Sequence, residues 1–207
     1  MFIGISGIIG AGKTTLTEQL AELLGYQSIF EPVEENPYLD DFYEDTKRWS
    51  FSMQIELLSR RFDLHQRVVW SGGNCVQDRT IYEDTIFAKV LYDRALMDER
   101  DYSNYMRLFN VMRRFLVYPD IIIFLDVAPE IALERINSRG RQCEREIPLT
   151  YLQHLDSEYR KYIDDIGHFV QVLSIDWSKF QEANAVAEKI AALRRKETAF
   201  FKNVRRI

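Results

Sequence analysis

Phe2-Ile3-Gly4-Ile5-Ser6, running into Gly7-Ile8-Ile9-Gly10-Ala11-Gly12-Lys13-Thr14-Thr15, decides the fold. The first run is short, apolar and rich in isoleucine, as a strand buried on both faces requires. From Gly7 to Thr14 the sequence fits G-x-x-x-x-G-K-[ST], and a helical pattern opens directly after it. Gly7, Gly10 and Gly12 allow the tight turn that aims successive backbone N–H groups at one anion. The helix N-terminus near Lys13 adds the positive end of its dipole. The Lys13 ammonium suits the β- and γ-phosphates, and the Thr14 hydroxyl suits Mg²⁺. Gly7, Gly10, Ala11, Gly12, Lys13, Thr14 and Thr15 are thus the candidate contacts for a nucleoside triphosphate. The motif leaves open what becomes of the γ-phosphate.

Beyond the loop, short apolar runs alternate with longer helical patterns. Strands are expected at Phe2–Ser6, Gln27–Phe30, Cys75–Gln77, Ile121–Leu125 and Val170–Ile175. Helices are expected at about 14–25, 48–70, 81–96, 101–116, 129–138, 149–166 and 181–196. This alternation predicts an α/β fold, a five-stranded parallel sheet with helices on both faces. No repeat, linker or boundary interrupts it, so residues 1–207 read as one domain. Hydrophobic residues make up 46% and charged residues 29%, which excludes a disordered or fibrous chain. With 27 basic against 32 acidic side chains the charge is −5, against a dominant nucleic-acid or anionic-membrane surface. No apolar run approaches the roughly 18 residues of a membrane span. The apolar start lacks a basic leader and reads as the first strand rather than a signal peptide. Cys75 and Cys143 are too few for a disulfide framework, and no C-x-x-C pair is present. A reducing, cytoplasmic setting is the expectation.

Two further clusters stand where ligands of an open parallel sheet bind, beyond the carboxyl ends of its strands, and a third follows a strand–helix unit. Glu31, at the end of the second strand, can accept a proton from an attacking hydroxyl. It would repel an acceptor already carrying a phosphate, which favours a neutral alcohol. The third strand ends Gln77-Asp78-Arg79-Thr80. Asp78 suits Mg²⁺, directly or through water, and Arg79 suits a phosphate oxygen. Arg135 and Arg139 share a helix face, Gly140 follows, and Arg141 and Arg145 come next. They form an arginine-rich candidate lid over about residues 135–147. Such cations stabilise charge on a moving phosphoryl group.

In order and spacing these features resemble the deoxynucleoside kinase family, over roughly residues 1–175. Glu31-Pro32-Val33-Glu34-Glu35-Asn36-Pro37-Tyr38, the stretch Trp49 to Gln54, and Asp78-Arg79-Thr80-Ile81-Tyr82-Glu83-Asp84 are its most specific parts. They are most similar to the bacterial deoxyadenosine/deoxyguanosine kinase branch. Many members have Glu-Arg-Ser where this chain has Asp78-Arg79-Thr80. The resemblance implies a P-loop kinase fold that uses ATP with Mg²⁺ to phosphorylate a deoxynucleoside 5′-hydroxyl, in nucleotide salvage. It implies Glu31 as general base, with Arg79 bridging that carboxylate and the phosphates and Lys13 completing the catalytic set. Tyr43 and Glu144 would hold the sugar 3′-hydroxyl. Gln54 would bond the base, Arg61 and Asp84 would line its pocket as a charged pair, and Trp49, Met53 and Phe87 would wall it. Arg135, Arg139 and Arg141 would form the lid, Thr14 and Asp78 would hold the metal, and two subunits would pair as a homodimer.

The residue chemistry fits that reading. Gln54 and Arg61 are seven apart, two helical turns, and can face one cleft. An amide offers donor and acceptor together, matching adenine N6/N1 or cytosine N4/N3, and Asp84 adds an acceptor for an exocyclic amine. Deoxyadenosine is therefore favoured, then deoxyguanosine or deoxycytidine, over thymidine. A nucleoside monophosphate kinase shares the loop and lid but needs a cation where Glu31 lies. A regulatory GTPase switch would need Asn-Lys-x-Asp, which is absent, and the D-x-x-G match at Asp164–Gly167 ends a helix. A nucleic-acid-dependent ATPase is disfavoured by the acidic pI of 5.4.

His65, His154 and His168 read as ordinary surface or half-buried residues with no metal-ligand neighbour at i+4. Cys75 reads as an apolar filler, and Cys143, in the lid, as an oxidisable thiol with nothing to lower its pKa. Tyr102, Tyr105, Met106, Phe109, Met112 and Phe115 form a helical stripe, core or subunit contact. The basic tail, 194–207, with Phe200 and Phe201 interleaved, reads as a solvated helix end, so no nucleic acid is expected.

Overall fold

A computed structural model describes residues 1–30, 36–140 and 147–204, apart from the side chains of Val69 and 196–204. Glu31, Arg141, Cys143, Glu144 and Arg145 lie outside the described residues, as do the tail's side chains beyond 195.

The five strands are β1 Phe2–Ser6, β2 Gln27–Ile29, β3 Cys75–Asp78, β4 Ile121–Asp126 and β5 Gln171–Asp176. All pairings are parallel, in the order β2-β3-β1-β4-β5. Successive side chains of a strand point to opposite faces, and here both faces are covered. Ile3, Ile5, Val76, Ile121 and Ile123 pack with Leu16 and Leu20 of α1 (Lys13–Leu24) and Val186 and Ile190 of α8 (Ala183–Val204). Phe2, Ile29 and Cys75 face the other way, onto Val68 of α3 (Thr46–Ser71). Ile122 meets Ile166 of α7 (Leu149–Ile166). Ile5 is 0% exposed, and truncating it to Ala would cost about 2–5 kcal/mol through the cavity left behind. The expected Val170–Ile175 strand shifts by one residue and forms the sheet edge, so it is only partly buried.

A second cluster joins Leu58 of α3, Ile81, Tyr82, Ala88 of α4 (Asp84–Asp93), and Tyr105 and Phe109 of α5 (Glu99–Met112). Tyr102, Met106 and Met112 pack against it, whereas Phe115 is 63% exposed. The stripe on α5 is thus core over most of its length.

Two expected helices are divided. The one from 81 is a 3₁₀ turn, Ile81–Glu83, followed by α4, which stops where Ala95 takes a φ of 56°. The next starts earlier, because the Asp98 side chain accepts the Asp101 N–H at 2.8 Å, and ends in a second 3₁₀ turn, Arg113–Phe115. A short helix, α2 (Leu39–Glu44), was not expected from the sequence. It buries no side chain and so shows no apolar period, although the Asx turn at Asn36 and the acidic first turn, Asp40 and Asp41, mark its start. Cys75 behaves as the expected filler: it is buried, and burial pushes its thiol up to about 11.

Candidate active site

The glycine loop leaves the carboxyl end of the central strand β1, between β3 and β4. Gly10 and Gly12 have φ of 82° and 93°, in the left-handed region. A Cβ at Gly10 would lie 2.5 Å from the Ala132 carbonyl oxygen of α6 (Pro129–Arg139), and one at Gly12 would lie 2.7 Å from the Phe180 ring. At Gly10 the α6 backbone leaves no room for a side chain, and at Gly12 the left-handed φ would strain one and the Phe180 ring would have to move. Lys13 folds back across it, and its ammonium donates to the Ile8 carbonyl at 2.9 Å. Burial holds that ammonium at about 7, well below 10.5; Arg79 pushes the same way, while Asp78 and Glu83 oppose. Arg139 also lowers it, so the lid-side cation reaches the loop by its field. Thr14 and Thr15 stand exposed on the first turn of α1.

β1 and β3 pair with Ile5 opposite Asp78, which sets the end of β3 beside the loop. The Thr14 hydroxyl donates to Asp78 Oδ2 at 2.5 Å. A hydroxyl and a carboxylate side by side offer the hard oxygen donors that Mg²⁺ prefers. Arg79 follows with a φ of 63°, a rare conformation for a residue with a side chain. Its Nε donates to the Tyr159 hydroxyl at 3.2 Å, and its guanidinium carbon lies 4.6 Å from the Phe87 ring centroid. Burial opposes its charge, but Tyr159, Glu83 and Asp78 outweigh it and push its pKa up, so it stays a cation. Glu83 is fully buried; burial raises its carboxyl from the ordinary range, against Arg79, the Thr80 N–H, Lys13 and Tyr159.

Four of the expected base-pocket residues on α3 and α4, Met53, Gln54, Arg61 and Asp84, are buried. Gln54 and Arg61 are 4% and 3% exposed, so neither lies on a solvent face. Arg61 Nε stands 3.0 Å from Asp84 Oδ1, both side chains buried. Met53 is buried, Phe87 half-buried, and Trp49 half-buried with its ring 5.6 Å from that of Tyr38. Tyr43, on α2, is 37% exposed.

Residues 3–198 match the family model described as deoxynucleoside kinase. The chain belongs to the deoxynucleoside kinase family. Among its relatives, a deoxyadenosine kinase of Dictyostelium discoideum is 47% identical over 190 residues, 92% of this chain and 78% of that one. A deoxyadenosine/deoxycytidine kinase of Bacillus subtilis (strain 168) is 42% identical over 164 residues, 78% of this chain and 76% of that one. The structure of a deoxyadenosine kinase from M. mycoides with bound dCTP is similar at a TM-score of 0.84 and 33% identity, covering 93% of this chain and 100% of that one. The chain is accordingly a phosphotransferase of the P-loop kinase type, with ATP as co-substrate.

Within this deoxynucleoside kinase, the structure brings Lys13, Thr14, Asp78 and Arg79 together at the loop and pairs Arg61 with Asp84, with Gln54 buried two turns away on α3. Arg135 lies against the phosphate loop. It donates to the carbonyls of Ala11, Trp177 and Ser178 at 3.2, 2.7 and 3.0 Å and lies 4.2 Å over Phe180. It clamps the phosphate loop to the segment after β5. Arg139 closes α6 and is exposed. Glu31, Glu144 and Arg141 fall outside the described residues.

Sequence reading missed Glu83 and Tyr159. Thr80-x-x-Glu83 has the spacing of a helix cap, and the Thr80 N–H does donate to Glu83 Oε1 at 3.0 Å. Nothing in the sequence marks Tyr159. Two histidine readings need correction. His65 is fully buried, and its Nε2 accepts the Val117 N–H at 3.0 Å. His154 does have a possible ligand at i+4, Glu158, and with Asp93 their ligand atoms lie within 4.8 Å of one another. The Lys89 ammonium, on α4 with Asp93, already pairs with both Asp93 oxygens, so that carboxylate is taken up in an ion pair.

Proposed function

We propose that the chain transfers the γ-phosphoryl group of ATP to the 5′-hydroxyl of a deoxynucleoside, with deoxyadenosine preferred over deoxyguanosine and deoxycytidine. The observation that carries this preference is the buried Arg61–Asp84 pair at 3.0 Å, with Gln54 buried two turns away on α3. Buried polar groups discriminate strongly, because a base that leaves them unpaired incurs their desolvation. Gln54 and Asp84 supply the donor–acceptor set for an exocyclic amine beside a ring nitrogen. Relatives named for deoxyadenosine and deoxycytidine act on bases of that kind.

In the reaction, the 5′-oxygen forms a bond to the γ-phosphorus as the bond to the β,γ-bridging oxygen breaks, releasing ADP. Glu31 takes the hydroxyl proton. Loop N–H groups and Lys13 hold the β- and γ-phosphates, and Arg79 neutralises charge on the group in transit. Thr14 and Asp78 would hold Mg²⁺, which when bound neutralises phosphate oxygens. Trp49, Met53 and Phe87 wall the base, Tyr43 and Glu144 hold the sugar 3′-hydroxyl, and Arg139 and Arg141 act from the lid. The active form is a homodimer; exposed Leu108, Val111 and Phe115, 40%, 50% and 63% accessible along one stretch, offer the apolar face it needs.

A panel of four deoxynucleosides with ATP and Mg²⁺ tests the reading. The expected product is the 5′-monophosphate, with the highest kcat/KM for deoxyadenosine. Thymidine as best substrate would overturn the base assignment, and absence of any nucleotide product would overturn the reaction. Light scattering on the eluting protein reads the dimer.

A further inference from the structure

Glu83 and Tyr159 are both 0% exposed, and the reaction as written gives neither a task. A buried carboxylate is costly unless cations and hydrogen bonds surround it. Here they converge on one neighbour. The Tyr159 hydroxyl donates to Glu83 Oε2 at 3.0 Å and accepts from Arg79 Nε at 3.2 Å. Glu83 Oε2 is itself 3.8 Å from that Nε. The other oxygen, Oε1, accepts from the N–H of Thr80, the residue directly after Arg79. The carboxylate thus grips Arg79 twice, through the backbone that follows it and through the phenol on its side chain. Phe87 covers one face of the guanidinium and meets Tyr159 edge-on at 6.3 Å.

That grip has a physical purpose. Arg79 sits at a φ of 63°, a conformation that persists only where its surroundings enforce it. A guanidinium is a planar fork, so fixing one edge fixes where the other nitrogens point. The Nε edge is the one held, and Nη2 lies 3.5 Å from the Gly7 carbonyl, at the mouth of the phosphate loop. We propose that Glu83 and Tyr159 are positioning residues: acting through the Tyr159 hydroxyl, they hold the Nε edge of Arg79 so that its terminal nitrogens meet the transferred phosphoryl group. The inference rests on the phosphotransfer reading above.

A double-mutant cycle tests it with Tyr159→Phe, which deletes one oxygen, and Arg79→Lys, which keeps the charge but has no Nε edge to hold. Tyr159→Phe is expected to lower kcat by ~10–100-fold while the deoxynucleoside KM moves less than ~3-fold, the mark of a misaligned transition-state contact. In the Arg79→Lys background the same change is expected to alter kcat by less than ~2-fold. A wild-type kcat in Tyr159→Phe, or an equal loss in both backgrounds, would overturn the proposal. Should Tyr159→Phe fail to fold, Glu83→Gln enters the same cycle with the same expectations. The Arg79 Nε–H resonance gives a substrate-free reading: slow exchange with water in the wild type and fast exchange in the variant are expected, and equal rates overturn the proposal. A wild-type protein that makes no nucleotide defeats the functional reading instead, and the resonance still reports on the hold.

Discussion

Triphosphate binding should draw a proton onto Lys13, and the amount follows from its setting. In the free protein, burial and the nearby Arg79 keep this ammonium at about 7. It is then about 0.9 protonated at pH 6, 0.5 at pH 7 and 0.1 at pH 8. Phosphate oxygens within reach favour the charged form and raise a cation's pKa by roughly 1–3 units. With nucleotide in place, Lys13 is nearly fully charged at pH 6 and at least half charged at pH 8. Net uptake is the difference: ~0.1 proton at pH 6, ~0.4–0.5 at pH 7 and ~0.4–0.9 at pH 8. Titration calorimetry of MgATP without an acceptor, in paired buffers of different ionisation enthalpy, reads these numbers. Lys13→Arg stays charged at every pH, so its uptake is expected to fall to near zero. Uptake that fails to rise from pH 6 to pH 8, or that survives in Lys13→Arg, would refute the placement of this ammonium in a dry site facing phosphate.

Acid stability is expected to depend on His65, which burial lowers to about 4 from 6.5. The unfolded chain then binds the proton first, so stability is whole above pH 6.5 and is lost as pH falls towards 4. The loss from this residue between pH 7 and pH 4.5 is about 2 kcal/mol, and His65→Gln, read by urea unfolding at both values, is expected to shrink it. Asp84→Ala removes the carboxylate beside buried Arg61; it is expected to destabilise by roughly 3 kcal/mol and to shift relative kcat/KM towards pyrimidine deoxynucleosides. An unchanged ranking would remove the pair from base recognition. Glu31→Ala is expected to leave ATP affinity nearly intact and to lower kcat by ~10²–10⁴, checked by calorimetry and steady-state rates; full activity would exclude Glu31 as the base.

The sheet was legible because its information is local. Ile121-Ile122-Ile123-Phe124-Leu125 can hardly be anything but a strand buried on both sides, and β4 is buried throughout those positions. Gly7 to Thr14 carries its ligand class in eight residues. Legibility fades where exposure removes the pattern. Helix α2 has no buried side chain, and β5, at the edge, lacks a full apolar run. It fails differently at His65: position on a helix was readable, but nothing local says that Val117 would come to its ring from 52 residues away.

The same distinction explains which parts of the site could be found beforehand. Lys13, Thr14, Asp78 and Arg79 sit at strand ends, and an open parallel sheet makes strand ends into ligand positions by topology alone. Glu83 and Tyr159 do not. Their meeting spans 76 residues, and that of Tyr159 with Arg79 spans 80. Thr80-x-x-Glu83 even offers a local explanation, a cap for a short turn, which conceals the charge relation. Yet the charge relation is the demanding one. Lys13 and Arg79 both lie in or beside a dry loop, and two such cations repel. Glu83 opposes that repulsion at both, since its field favours the charged form of each. A loop that keeps Arg79 charged, and Lys13 partly so, before any anion arrives therefore draws on a buried carboxylate nearby, held by donors of its own. The Thr80 N–H and the Tyr159 hydroxyl are those donors, so a cap geometry and a distant tyrosine answer one electrostatic need.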